Sequence, residues 1–275
     1  MLKIGEYNTL EIRKFTDFGC YLDSEEETVL LPRKYINGNP EVGDSLTVFV
    51  YTDSEDRPIA TTLTPYGIVG DLVCLTVKDV SSYGAFLDMG LEKDLLLPFR
   101  ASKKKLQIGD KCVVKICFDE KSKRMIAVSK ISSFLEKTSE DLTEGQKVDL
   151  LVYETIEQGF LAIVDNRFSG LLYKNEVFEK LEIGSKKSGY IKKIRIDGKI
   201  DLTLYKQGFE YVKEEAPSLM KTLKDAGGFL PYDSKTPPKI IKEKFNMSKK
   251  NFKKIIGTLY KQRKIVLVDG GIKIV

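Results

Sequence analysis

Apolar and polar residues alternate along short segments of the chain as far as residue 209. Every second residue is apolar between Leu46 and Tyr51, and the same period of two returns between Val113 and Phe118. Alternation of this kind predicts β-strands, because successive side chains of a strand point to opposite faces. Turn-forming residues separate the segments, so the pattern predicts a succession of short strands rather than helices.

The same succession of segments occurs three times. In each copy a strand leads to a glycine next to an aromatic residue, then to a pair of leucines, a glycine-led strand and a last short strand after a charged turn. The glycines that open the three copies are Gly19, Gly84 and Gly159. Five short strands suit a small closed barrel, since closure leaves no exposed strand edge. The repeat therefore predicts three barrels, in residues 1–64, 65–140 and 141–209.

After residue 209 the apolar residues take a helical period. Pro217 and the apolar residues after it predict a helix that has proline in its first turn and ends at Gly227. A second helix is predicted to open at Thr236 and a third to be capped by Ser248, and a hairpin with a glycine-rich turn closes the chain. Three helices and a hairpin predict a winged helix in residues 210–275. The predicted fold class is thus mainly β with an α+β C-terminal domain.

Composition narrows the possible chemistry. The 275 residues include no histidine, which excludes Ser-His-Asp and Cys-His catalysis and removes the commonest transition-metal ligand. The four cysteines show no Cys-x-x-Cys spacing, and no phosphate-binding loop of the Gly-x-x-x-x-Gly-Lys type occurs. We therefore expect a protein that is not an enzyme, with no catalytic residues, no metal and no cofactor.

The net charge of +5 is distributed unevenly. Residues 1–64 contain 6 Lys and Arg against 12 Asp and Glu, whereas residues 210–275 contain 15 against 7. A basic domain is typical of polyanion binding, while the acidic first segment should be repelled by phosphates. The chain has no apolar stretch of membrane-spanning length and begins without a signal peptide, so we expect a cytoplasmic protein with no membrane partner.

The strand after each glycine places an aromatic ring on a predictable face. In the second copy Ala85 and Leu87 fall on one face, and Phe86 falls on the other together with Asp88. The ring is therefore predicted to face solvent, where rings on a barrel stack nucleobases for about 1–3 kcal/mol per base. Tyr83, just before the glycine, is predicted to present a second ring. The alternative is that the adjacent repeat covers these rings.

The third C-terminal helix divides into two faces. Projected at 100° per residue, the apolar residues cluster around Phe252, while Lys250, Lys254 and Lys261 lie on the opposite side with Lys253 alongside. No acidic residue lies between Phe245 and Val268, so the pattern favours contact with a polyanion over a merely solvated face.

The glycine-aromatic, paired-leucine and Ile-Gly-Asp elements, followed by an aspartate and a nearby arginine, resemble the S1 RNA-binding domain, an OB-fold barrel. Three such units and a winged helix resemble the bacterial conserved virulence factor B family, most clearly between Asp233 and Tyr260. The resemblance implies a regulator of gene expression that binds RNA. It also implies Asp/Arg pairs at Asp53 with Arg57 and at Asp119 with Arg124.

These observations predict a non-catalytic protein that binds single-stranded RNA through the second and third barrels and the winged helix. The predicted RNA-binding residues are Tyr83, Phe86, Arg100, Arg124, Phe160, Tyr173, Lys192, Arg195, Lys250, Lys253, Lys254 and Lys261, with Phe18, Tyr21 and Arg57 as weaker candidates. Two other functions remain open. The first is that of a DNA-binding transcriptional regulator that uses the lysine helix. The second is that of a scaffold that binds ribosomal or polymerase components.

Overall fold

The structure is a computed structural model that describes residues 2–24, 27–137, 141–206 and 209–275. It contains two compact units, Met1–Leu135 and Glu136–Val275. The first unit holds two barrels, and the second holds a third barrel and a winged helix. The predicted fold class and the order of its parts are confirmed.

Each barrel is closed by five strands, as the repeat predicted. The first consists of β1 (Glu6–Thr16), β2 (Gly19–Asp23), β3 (Thr28–Pro32), β4 (Ser45–Thr52) and β5 (Pro58–Thr61). The second consists of β6 (Leu72–Val80), β7 (Gly84–Leu87), β8 (Leu95–Pro98), β9 (Lys111–Asp119) and β10 (Arg124–Val128). The third consists of β11 (Lys147–Ile156), β12 (Gly159–Val164), β13 (Phe168–Tyr173), β14 (Lys186–Ile194) and β15 (Ile200–Thr203).

The repeated glycine is required where the second strand of each barrel pairs with the third. In the second barrel a Cβ on Gly84 would collide with the carbonyl oxygen of Leu97 on β8. Gly19 and Gly159 meet the carbonyl oxygens of Leu31 and Leu172 in the same way. The glycine therefore lets two backbones approach closely, which explains why it recurs in all three copies.

The strand β4 is buried on both faces. Val48 and Val50 belong to the core of the first barrel, whereas Phe49 and Tyr51 belong to the core cluster of the second barrel. Two large rings inserted in this way bury much apolar area, which holds the two barrels together as one unit. An adjacent repeat thus covers two aromatic rings, but they are Phe49 and Tyr51 and not the rings of Tyr83 and Phe86 for which this alternative was considered.

The C-terminal domain has the predicted three helices and a small sheet. The helices are α1 (Phe209–Asp225), α2 (Pro238–Phe245) and α3 (Lys249–Lys261), and the strands β16 (Phe229–Leu230), β17 (Ile265–Val268) and β18 (Gly271–Ile274) pair in the order β16-β18-β17. The helices and the sheet enclose one apolar core around Phe252. Within the described ranges, no helix is long and apolar enough to cross a membrane.

The prediction that proline lies in the first turn of the first helix is wrong. The helix α1 begins at Phe209, so Pro217 lies inside it. Val212 and Ala216 extend the buried stripe of Leu219 and Leu223 upstream of the proline. Packing of this longer apolar stripe outweighs the backbone hydrogen bond that proline cannot donate.

Candidate nucleic-acid interface

A cleft of about 720 Å³ lies on the outer face of the second barrel. The rings of Tyr83, Phe86 and Phe99 line it, together with the guanidinium groups of Arg100 and Arg124. Four of these residues were predicted from the sequence, and Phe99 was not. The fold therefore gathers aromatic rings and cations from three different segments into one concave surface.

Local backbone structure positions the rings of the cleft. The N–H group of Tyr83 donates to the Ser81 hydroxyl at 3.1 Å, and the N–H group of Phe99 donates to the carbonyl of Tyr83 at 3.3 Å. These bonds keep two largely exposed rings at the same end of the barrel, with 77% of Tyr83 and 48% of Phe99 accessible to solvent. Phe86 projects from β7 on the side opposite to the buried core residues, as the alternation predicted. Exposed and half-exposed rings of this kind can stack on unpaired bases.

The cations of the cleft differ in their partners. Arg100 is exposed and forms no ion pair with any residue that the structure describes. Arg124 contacts the carboxylate of Asp56, which lies in the first barrel. The expected pair between Asp119 and Arg124 is therefore not formed. Asp119 instead accepts a hydrogen bond from the Ser122 hydroxyl at 2.6 Å, which lowers the pKa of its carboxyl group.

The corresponding face of the first barrel carries its weaker candidates in an accessible position. Phe18 is 79% exposed, and the Tyr21 ring lies 5.1 Å from the ammonium group of Lys14. Arg57 donates to the Asp53 carboxylate at 2.7 and 2.9 Å, so the Asp/Arg pair implied by the S1 resemblance is present here. This pair neutralises Arg57 and leaves it less available for a phosphate.

The third barrel does not present the ring that the sequence predicted. The register pairs Phe86 with Leu96 in the second barrel, and the equivalent pair in the third is Leu161 with Leu171. Phe160 therefore occupies the inward position, where it packs against the barrel core. The glycine-aromatic spacing is one residue shorter here than in the other copies, so the ring changes face. Phe160 is therefore less accessible to a nucleobase than the sequence analysis expected.

The two predicted cations of the third barrel, Lys192 and Arg195, are paired within the barrel. Arg195 bonds to the Asp201 carboxylate at 2.8 Å and also contacts the Tyr173 hydroxyl. The hydrogen bond to Asp201 raises the pKa of Arg195. Lys192 bonds to Glu176 at 2.5 Å and lies over the Tyr173 ring. A phosphate would have to compete with these carboxylates, so this face is less suited to RNA than the sequence predicted.

The helix α3 presents the predicted lysines. The Ser248 hydroxyl accepts a hydrogen bond from the Asn251 N–H at 3.1 Å and so caps the start of the helix. Four buried apolar residues face the core: Phe252, Ile255, Ile256 and Leu259. The predicted lysines are exposed and, in the part of the chain that the structure describes, none of them meets a carboxylate: Lys250, Lys253, Lys254 and Lys261.

Two functional groups of the cleft escaped the sequence analysis. Phe99 follows Pro98 in a short 3-10 turn, and Lys93 lies in the loop before β8. Neither belongs to an alternating strand, so no parity argument applied to them. The one available signal was the repeat itself, because Phe99 follows the Leu-Leu-Pro segment that also precedes Arg33 in the first copy.

Two family models agree with the first two barrels and with the winged helix. The S1 domain family matches residues 4–63 and 69–129, and the CvfB-like winged helix domain family matches residues 217–274. The uncharacterized protein YitL of Bacillus subtilis (strain 168) is 30% identical over 98% of this chain and 93% of its own length. Conserved virulence factor B of Staphylococcus saprophyticus is 24% identical over 89% of this chain and 85% of its own length. A crystal structure of a multidomain protein with nucleic acid binding domains from Streptococcus pneumoniae covers 99% of this chain and 98% of that chain, at 22% identity and a TM-score of 0.48.

The S1 and winged-helix families are nucleic-acid-binding domains rather than enzyme families. The chain is thus a multidomain nucleic-acid-binding protein with S1-type barrels and a winged helix. The similarity to YitL and to conserved virulence factor B extends over most of the length of this chain, so it concerns the whole arrangement of domains. The chain belongs to the conserved virulence factor B family.

Proposed function

We propose that this protein binds single-stranded RNA without changing it chemically, and that it acts in the cytoplasm as a regulator of gene expression. Binding uses the cleft of the second barrel and the lysine face of α3. A protein that occupies RNA without cleaving it acts by controlling access to that RNA. The proposed outcome is control of decay, translation or transcription of the bound molecule.

The observation that carries the proposal is the combination of exposed rings and cations in one cleft. Tyr83, Phe99 and Arg100 line the same cleft, and Arg100 is exposed and forms no ion pair with any residue that the structure describes. Rings stack on bases and the cation attracts phosphates, so the two kinds of group match the two parts of a nucleotide. The flat faces of bases are accessible in a single strand and are stacked away in a duplex, which favours a single-stranded ligand.

The lysine face of α3 adds affinity without sequence preference. Lysine ammonium groups contact phosphates as point charges, whereas base recognition in the major groove usually needs bidentate side chains such as Arg, Asn or Gln. Lys250, Lys254 and Lys261 are of the first kind. The helix therefore supports binding to a polyanion more than reading of a duplex sequence.

The decisive experiment compares three ligands at one salt concentration. Fluorescence anisotropy with the full chain would measure its affinity for oligouridylate, for the matching single-stranded DNA and for a duplex DNA of the same length. Each is measured for the wild type, for Tyr83→Ala and for the control Tyr66→Ala. Tyr66 is also an exposed tyrosine of the first unit, but it does not line the cleft.

We expect the tightest binding to RNA, with at least a fivefold loss for Tyr83→Ala because a stacked base contributes about 1–3 kcal/mol, and no change for Tyr66→Ala. Tightest binding to duplex DNA that is insensitive to Tyr83→Ala would replace the proposal by a DNA-binding regulator. Failure to bind any of the three ligands would favour a scaffold for protein partners.

A further inference from the structure

The loop between β4 and β5 brings an acidic group of the first barrel into the cleft of the second. The Asp56 carboxylate contacts the guanidinium group of Arg124 through one oxygen, and its other oxygen lies 3.4 Å from the Lys93 ammonium group. Both barrels belong to the same compact unit, and Lys93 and Arg124 both line the cleft. One carboxylate thus lies between two cations at the edge of the proposed RNA site.

The backbone of the loop holds this carboxylate in place. The N–H group of Asp53 donates to the carbonyl of Arg57 at 2.9 Å, and the N–H group of Asp56 donates to the carbonyl of Asp53 at 3.0 Å. Asp56 has a φ of 65°, a left-handed conformation that glycine adopts most easily and that asparagine and aspartate tolerate. A glycine would adopt this conformation more easily, so the side chain of Asp56 has a local conformational cost.

Lys93 connects the two barrels more widely than through this ion pair. Its ammonium group lies 3.4 Å from the Thr52 hydroxyl and also contacts the carbonyl oxygen of Asp53. The ammonium is therefore fixed at the junction of the barrels and points toward the acidic loop. If the Asp56 carboxylate leaves, the contacts to Thr52 and Asp53 still hold the ammonium at the edge of the cleft, and one N–H group becomes available for a phosphate oxygen.

The three charged groups lie close enough to solvent to exchange partners. The exposed fractions are 36% for the Asp56 side chain, 33% for Lys93 and 47% for Arg124. Ion pairs at such exposure are weak, because water and salt screen them. An RNA phosphate, which is also an anion with several acceptor oxygens, is able to displace the carboxylate.

We propose that Lys93 and Arg124 form a phosphate subsite of the cleft, and that Asp56 occupies this subsite while no nucleic acid is bound. The inference rests on the proposed function of the cleft, and it adds Lys93 and the competing Asp56 carboxylate to Arg124, which the sequence analysis had already predicted to bind RNA. Binding of a strand then exchanges one anion for another. The carboxylate consequently lowers both the affinity for RNA and the salt dependence of binding.

The test is the substitution Asp56→Asn, with Glu55→Gln as its matched control. Asparagine keeps the shape of the side chain and tolerates the left-handed conformation, but it carries no charge. Glu55 lies in the same loop and forms its ion pair with Arg57 instead. The two variants therefore change the net charge equally, and only the first removes the anion from Lys93 and Arg124.

The affinity of the full chain for oligouridylate is measured over a series of salt concentrations. We expect Asp56→Asn to bind about three- to tenfold more tightly at low salt. We also expect the slope of log affinity against log salt to steepen by about 0.7 for each side chain, Lys93 or Arg124, that no longer has to leave a carboxylate before it contacts a phosphate. Glu55→Gln should change neither quantity. Adding Lys93→Gln and Arg124→Gln to Asp56→Asn should abolish the gain.

Each other outcome is also informative. Unchanged affinity and slope in Asp56→Asn, in a protein whose binding is weakened by Tyr83→Ala, would overturn the subsite and leave the proposed function intact. A loss of affinity in both Asp56→Asn and Asp56→Gly would also overturn it, since the carboxylate would then be needed to hold the cleft in shape. If Tyr83→Ala itself has no effect on RNA binding, the proposed function fails instead. Thermal melting of each variant verifies that the barrels remain folded.

Discussion

The strands of the second and third barrels pair in the same order, and the strand that begins at the repeated glycine pairs with the next strand in the same register. The outer faces of the two barrels nevertheless carry different side chains. Phe86 of the second barrel and Leu161 of the third occupy equivalent outward positions. Arg100 of the second barrel forms no ion pair with a described residue, whereas Arg195 of the third bonds to Asp201. Two copies of one fold thus differ in the residue at the outward position and in whether one arginine of the face forms an ion pair.

The difference shows that the barrel fold alone does not define a nucleic-acid site. A ring contributes to stacking only where strand parity directs it outward, and a cation contributes fully only where no carboxylate of the protein already neutralises it. The following variants test whether these two conditions decide which barrel binds.

The largest effect is expected from the free lysines of the winged helix. Replacing Lys250, Lys254 and Lys261 with glutamine removes three phosphate contacts, which at 0.1 M salt should weaken binding to oligouridylate about a hundredfold and reduce the salt slope by about 2. A titration over several salt concentrations measures both quantities.

A matched triple variant uses lysines of the third barrel that are already paired. Lys180, Lys187 and Lys199 bond to Glu182, Glu179 and Asp197. Their replacement with glutamine changes the net charge equally and should weaken binding much less. Equal losses in the two triple variants would show that net charge, rather than free lysines, determines the affinity.

The outward aromatic position should separate the two barrels next. Phe86→Ala is expected to lower RNA affinity at least fivefold, because stacking on one base contributes about 1–3 kcal/mol, while the melting temperature changes little. Leu161→Ala, the equivalent change in the third barrel, should leave affinity unaltered. A large drop in the melting temperature of Phe86→Ala would mean instead that the ring belongs to the core.

Phe160 should show the opposite behaviour to Phe86. It packs partly buried against the core of the third barrel, so Phe160→Ala should reduce the free energy of unfolding by about 1–3 kcal/mol, less than for a fully buried ring. RNA affinity of the folded variant should remain that of the wild type. Denaturant titration with a parallel binding assay checks this, and reduced affinity at unchanged stability would return Phe160 to the interface.

The smallest effect is expected for the paired arginine of the third barrel. Arg195→Gln should change RNA affinity less than twofold, whereas Arg100→Gln should weaken it about fivefold through loss of one phosphate contact. The same anisotropy assay measures both variants. A larger loss for Arg195→Gln than for Arg100→Gln would reverse the assignment of the binding barrel.

The order of the domains followed from the sequence because the repeat is local and the change of period after residue 209 is sharp. The outward position of Phe86 followed for the same reason, since alternation along one strand decides it. The predicted domain boundaries and the set of RNA-binding residues stay predictions.

Other features depend on contacts between distant segments, which alternation does not report. Phe49 and Tyr51 alternate with the core residues Val48 and Val50, and they complete the core of the next barrel. The pairing of Asp56 with Arg124 joins residues 68 positions apart, so it leaves no mark on local composition. Phe160 faces the core of the third barrel because its glycine spacing is one residue shorter than in the other two copies.

The most direct test of the central claim is photo-crosslinking of the full chain to oligouridylate, followed by mass spectrometry of the crosslinked peptides. Crosslinks at Tyr83, Phe86 or Phe99, together with crosslinks on α3, are the predicted result. Crosslinks confined to the third barrel, between residues 147 and 203, would contradict the account.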